Sequence, residues 1–182
     1  FLKQRGPLRV ERRYEKPAGL EWNDQTYQGD AYPCFSYAAT AVEVEADLDT
    51  GEVRVTNVTT AQEIGRAIHP VQCVGQIEGG TLQGLGYALL EEVRWKDGRV
   101  WNHQLADYAI PTAVDAPPMD VVLVEDPFPG GPFGAKGVGE LPMDVPAGAV
   151  VAAIAHATGA RLDVIPVTPE RLLRALAGEE AR

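Results

Sequence analysis

Pro127-Phe-Pro-Gly-Gly-Pro-Phe-Gly-Ala-Lys-Gly-Val-Gly-Glu-Leu-Pro142 places five glycines and four prolines around one carboxylate, Glu140. Glycine lets the backbone approach a ligand closely and proline fixes φ, so the stretch specifies a shaped, non-repetitive loop. Val121-Val-Leu-Val124 before it reads as a short apolar strand. Val145 to Ala157 after it reads as a buried Ala/Val/Ile helix with Asp144 as its N-cap. Lys136 and Glu140 carry the loop's charges; Val138 and the glycines give Glu140 small, apolar neighbours that would withdraw it from water, the setting a general base needs, while the positive N-terminus of the following helix would oppose this. On composition alone, a Gly/Pro-rich loop with a Glu and a Lys is usually just a solvated connection. Ala135 before Lys136 and Gly137 after it exclude a P-loop.

Working outward, Tyr37 to Leu48 alternates Val42 and Val44 with Glu43 and Glu45, Asp49-Thr-Gly51 turns, and Glu52 to Val58 resumes the alternation. This predicts a hairpin with one wet face. Val71 to about Val93 has apolar residues at helical spacing, interrupted by Gly75, Gly79, Gly80, Gly84 and Gly86. Each glycine costs up to about 1 kcal/mol against alanine in an exposed helix, so close packing or a ligand on the backbone is expected. Gln76 and Gln83, two turns apart, share one face of that helix. Asp97-Gly98 predicts a second hairpin, Arg161 to Ile165 a strand, and Thr168-Pro169 to Gly178 a capped closing helix. The predicted class is α+β, mixed sheet hairpins with packed helices.

Residues 1–33 show neither helical nor strand periodicity. They are expected to be an N-terminal arm that docks on another domain or subunit, with residues 34–182 forming the main domain. A formal charge of −10 argues against nucleic acid or an anionic membrane as partner. No apolar run approaches the roughly 20 residues of a membrane span. Cys34 and Cys73 lack Cys-x-x-Cys spacing, which fits a reducing cytoplasm. His69, His103 and His156 share no ligand-like spacing and are read as structural, and Cys34 and Cys73 by themselves make no zinc or iron–sulfur site.

Six segments, in order and spacing, resemble the C-terminal end of the large subunit of the molybdenum hydroxylases, the xanthine dehydrogenase and aldehyde oxidoreductase family. They are Gly65-Arg-Ala-Ile-His-Pro70, Gly75-Gln-Ile-Glu-Gly-Gly80, Gln83-Gly-Leu-Gly86, Asp107-Tyr-Ala-Ile-Pro-Thr112, Gly134-Ala-Lys-Gly-Val-Gly-Glu140 and Thr168-Pro-Glu-Arg171. The resemblance implies the C-terminal half of a molybdopterin-binding domain. It implies that Glu140 is the general base that takes a proton as water-derived oxygen passes to an electron-poor carbon. It further implies that Gln76, Gly137, Val138 and Gly139 lie against the molybdenum–molybdopterin cofactor, with or without a nucleotide extension.

The family's other cofactor contacts lie upstream, and its iron–sulfur clusters and FAD lie on partner chains or domains. The expected partners are therefore an upstream half of the molybdenum subunit, iron–sulfur and flavin subunits, and a small-molecule substrate. Because the chain opens on Phe1, it is expected to be a fragment or one piece of a split subunit, inactive alone. Leu141 stands where many relatives carry proline, which loosens the loop's exit but spares the carboxylate. A non-catalytic scaffold is the alternative reading; Glu140 and Gln76, both kept, favour the enzyme.

Overall fold

The computed structural model describes residues 6, 8–13, 15 and 17–179. Of the basic residues in the predicted arm, Lys3, Arg5 and Lys16 lie outside them. The chain divides into two compact units, Phe1–Phe35 and Ser36–Arg182.

In the first unit two short strands pair antiparallel, β1 (Trp22–Asn23) with β2 (Gln28–Gly29). The turn is local in origin: Asn23 Oδ1 accepts from the amides of Gln25 and Thr26, and Trp22 meets Tyr27 edge-on with centroids 6.3 Å apart.

In the second unit β3 (Ala38–Ala46) and β4 (Val53–Glu63) form the predicted hairpin, and β7 (Met119–Val124) lies parallel to β4. The result is a three-stranded sheet of order β3–β4–β7. Alternation decides the faces. Val58, Thr60 and Gln62 of β4 are fully buried, whereas Glu43, Glu45 and Arg54 are exposed. Between β4 and β7 run α1 (Pro70–Leu89) and a two-by-two-residue hairpin, β5 (Trp95–Lys96) with β6 (Arg99–Val100). Its turn residues Asp97 and Gly98 both have positive φ, +50° and +73°, as a primed two-residue turn requires. After the glycine loop come α2 (Leu141–Asp144), α3 (Pro146–Thr158) and α4 (Pro169–Leu176).

One apolar core joins these elements. Leu85 and Ala88 of α1, Val150 and Ile154 of α3 and Leu172 of α4 pack with Val58 of the sheet. Burying each large side chain contributes about 1.5–3 kcal/mol. Leu141–Thr158 has a mean hydropathy of 1.3 over 18 residues, enough by composition to cross a membrane. It is nonetheless split into two helices, and Val150 and Ile154 sit at 0% exposure inside the core.

Ile77, Gly80, Thr81, Gly84, Leu85 and Ala88 make the buried stripe of α1 at spacings of three and four residues. Two of its glycines are there for space. A Cβ on Gly80 would lie 2.8 Å from Pro142 Cβ, and one on Gly84 would lie 2.9 Å from both Met143 O and Pro146 Cγ. The backbone of α1 therefore touches α2 and the start of α3 directly. A Cβ on Gly86 would strike Glu91 Oε1 and lie 2.9 Å from Pro111 Cδ. Gly75 and Gly79 are different: a Cβ there meets nothing within 4 Å.

Three expectations about elements are corrected. α1 ends at Leu89 rather than near Val93, because the amides of Leu90 and Glu91 both donate to Gly86 O and Glu91 turns away to accept from Tyr108 Oη at 2.7 Å. Arg161 to Ile165 forms no strand; the chain there packs Leu162 into the core, and the Val167 amide donates to Ala88 O at the end of α1. Asp144 closes α2 instead of capping α3, whose N-cap is Val145. The closing helix is as predicted, with Thr168 Oγ1 accepting from the Arg171 amide. Arg171 also donates to Pro166 O at 2.9 Å and to Glu92 Oε1 at 2.7 Å, tying α4 to the segment after α1.

The Arg171 hydrogen bond, helped by Arg94, holds the Glu92 carboxyl below its ordinary 4.5. A depressed carboxylate adds stability above its unfolded pKa and loses it as pH falls through the folded one. Glu92→Gln is thus expected to flatten the loss of stability below pH 4.5, measured by urea denaturation across an acid series. In the same assay Gly80→Ala and Gly84→Ala should each destabilise by about 1–3 kcal/mol through overpacking. Gly75→Ala and Gly79→Ala should each stabilise by about 0.5–1 kcal/mol.

Candidate functional site

β4 delivers the chain to the site. The strand ends at Glu63, and two residues on comes Gly65, whose φ of +66° suits glycine. Gly65 forms an isolated bridge with Ala135, the Arg66 amide donates to Gly134 O at 2.9 Å, and the Lys136 amide donates to Ile64 O at 3.0 Å. These contacts fasten the first half of the glycine loop to the exit of β4. Within the loop Pro132–Gly134 makes one tight turn, with Phe133 at φ +53° and 83% exposed.

The second half of the loop faces the N-terminal half of α1. His69 caps that helix, its Nδ1 accepting from the Gln72 amide at 3.3 Å, and Pro70 takes the first position. One turn and a half later Gln76 Nε2 donates to Gly139 O at 3.1 Å. The polar helix face and the glycine loop expected from sequence thus meet at one hydrogen bond. Between them lies a cleft of about 470 Å³ lined by, among others, Ile64, Arg66, His69, Gln76, Val138 and Gly139.

Of the residues singled out from sequence, Gln76, Val138 and Gly139 share this cleft with His69, Cys73 and Lys136; Gly137 and Glu140 flank them in the chain without lining it. Glu140 is exposed and starts α2, with its carbonyl accepting from the Met143 amide at 3.0 Å. The expectation that the loop itself withdraws Glu140 from water is corrected: glycine neighbours offer no side chains to cover it. Gln83 lies on the same helix face as Gln76 but outside the cleft.

Backbone is bare at Gly139, which lines the cleft, and at Gly137 two residues before it: a Cβ on either would meet nothing within 4 Å. A bulky group resting on main chain fits that surface. Among the described residues no group of three or more His, Cys, Asp or Glu gathers as a metal site.

Sequence reasoning missed Glu63. Its Oε2 accepts from Lys136 Nζ at 2.7 Å, with the two side chains 10% and 8% exposed, and its Oε1 accepts from the Gly65 amide at 2.7 Å. The signal was a lone acid before Gly65-Arg66 and a lone base in the loop, of opposite sign but 73 residues apart.

The molybdopterin cofactor-binding domain model matches residues 1–117. Over 175 residues the chain is 36% identical to a probable xanthine dehydrogenase subunit of Bacillus subtilis, spanning 96% of this chain and 23% of that protein. It is 40% identical to the gamma subunit of the 6-hydroxypseudooxynicotine dehydrogenase complex of Paenarthrobacter nicotinovorans, over 82% of this chain and 19% of that protein. The aldehyde oxidoreductase from Desulfovibrio gigas superposes with a TM-score of 0.78 at 36% identity, over 88% of this chain and 18% of that one. This chain belongs to the molybdopterin cofactor-binding domain family of the xanthine dehydrogenases and aldehyde oxidoreductases. It has their α+β fold, and it spans about a fifth of the length of these relatives. Glu140 lies beyond the stretch that the family model matches.

The Gln76 bond to Gly139 is exposed, so its net worth to folding is small. Gln76→Ala is expected to change the unfolding free energy by less than about 1 kcal/mol, read by denaturant titration.

Proposed function

We propose that this chain forms part of the cofactor-binding face of a molybdenum hydroxylase large subunit, with Glu140 as the general base. The observation that carries the reading is the Gln76–Gly139 hydrogen bond, which gathers an amide side chain, bare backbone and the approach to Glu140 at one cleft. Gln76 would hold the molybdopterin by its amide, and Gly137, Val138 and Gly139 would lie against it with main chain. When bound, the cofactor supplies the two-electron redox centre. Glu140 accepts, at a carboxylate oxygen, the proton released as water-derived oxygen adds to the substrate carbon. An N-heterocycle or an aldehyde, both with an electron-poor carbon, is the substrate class.

An exposed carboxylate is a poor base for such a step until water is excluded. We assign that task to the rest of the molybdenum subunit, on which residues 1–33 dock while residues 34–182 supply the site. Iron–sulfur and flavin partner chains carry the electrons away, in the cytoplasm, and activity requires these partners. The relatives' greater length and their names as subunits of complexes support this reading.

Glu140→Gln in the complete enzyme is expected to keep about one molybdenum per chain yet lower kcat by about 10²–10⁴-fold. Metal analysis and turnover with an artificial electron acceptor measure the two; retained turnover removes the base role. Gln76→Ala should instead lower the molybdenum content, although it leaves the fold's stability almost unchanged.

A further inference from the structure

The glycine loop is anchored unevenly. Up to Lys136 it is held by two backbone hydrogen bonds, from the Arg66 amide to Gly134 O and from the Lys136 amide to Ile64 O, which together make the Gly65–Ala135 bridge. Beyond Lys136, Gly137 and Gly139 are exposed and bring no side chains. From there to Glu140, Val138 is half-buried and Gln76 donates to Gly139 O. Lys136, with its side chain 8% exposed, is the charged anchor nearest to Glu140, four residues before it.

What grips that anchor is Glu63, the last residue of β4, 8% exposed. One carboxylate does two jobs: Oε1 fixes the Gly65 amide and Oε2 holds the Lys136 ammonium, both at 2.7 Å. The fit leaves no slack, since a Cβ on Gly65 would come within 2.9 Å of Lys136 Cγ. Asp126 also approaches Lys136 at 3.9 Å, but at 81% exposure it adds little. A buried pair gains little net stability over apolar packing, yet it is satisfied in one register only.

We infer that Glu63 is a positioning residue for the loop that carries Glu140, acting through Lys136. The link to turnover rests on the proposed role of Glu140; the link to loop order does not. Glu63→Gln keeps the shape and the acceptor for the Gly65 amide and removes the charge that holds Lys136. Lys136→Met removes the other partner, and Lys136→Arg keeps charge and reach.

The test is hydrogen–deuterium exchange of the complete enzyme, read by mass spectrometry on peptides covering residues 134–141 and 38–46. In Glu63→Gln the loop amides should exchange about tenfold faster or more while those of β3 stay unchanged. Lys136→Arg should restore the slow rate that Lys136→Met loses. Per bound molybdenum, Glu63→Gln should lose about 10–100-fold in kcat with little change in KM, as a displaced reacting group does. Loop exchange within twofold of wild type, or faster exchange in loop and β3 alike, overturns the inference, the latter because it marks general destabilisation. If Glu140→Gln keeps turnover while Glu63→Gln still frees the loop, the base reading fails and the positioning role stands. If Lys136→Met does not accumulate, Glu63→Gln decides the matter alone.

Discussion

The close contact of the α1 backbone with Pro142, Met143 and Pro146 is the constraint on which the rest of this domain depends. Gly80 and Gly84 have no side chain to keep the helices apart, so α2 and the start of α3 lie directly on α1. That contact fixes the far end of the glycine loop, whose near end is fixed by β4 through Ile64, Gly65 and Arg66. A loop of five glycines would otherwise be too costly in chain entropy to hold one shape. Held at both ends, it crosses the N-terminal half of α1 and opens a cleft beside Gln76.

The six segments that mark the family divide by physical job. Gly86 makes room for Pro111, Tyr108 donates to Glu91, and Arg171 ties Glu92 to Pro166; these belong to packing. Gly65, Gln76 and the loop from Gly134 to Glu140 belong to the cleft. The neutral Tyr108 hydroxyl is favoured by its bond to Glu91, which with burial pushes its pKa up to about 12.

Elements dictated by neighbouring residues were legible in the sequence. The β3–β4 alternation, the Asp97-Gly98 turn and the Thr168 cap each follow from a few adjacent side chains. Arg161 to Ile165 misled because alternation says which residues point inward and not what they meet; Leu162 is buried without a strand partner. The end of α1 misled because Glu91 leaves the helix for a tyrosine 17 residues on. Glu140 misled in another way: small neighbours remove side chains, and without side chains nothing covers a carboxylate.

By itself the sequence determined the α+β class, the shaped loop and its candidate base, since each is written in residue type and short spacing; the pairing of Gln76 with that loop, across 63 residues, was decided by tertiary structure. Which glycines of α1 make room for a neighbouring element and which face open space was decided by tertiary structure. So was the Glu63–Lys136 pair, whose partners are 73 residues apart. The reason is the same in each case: a contact between distant segments exists only once the sheet and helices have set where their backbones lie.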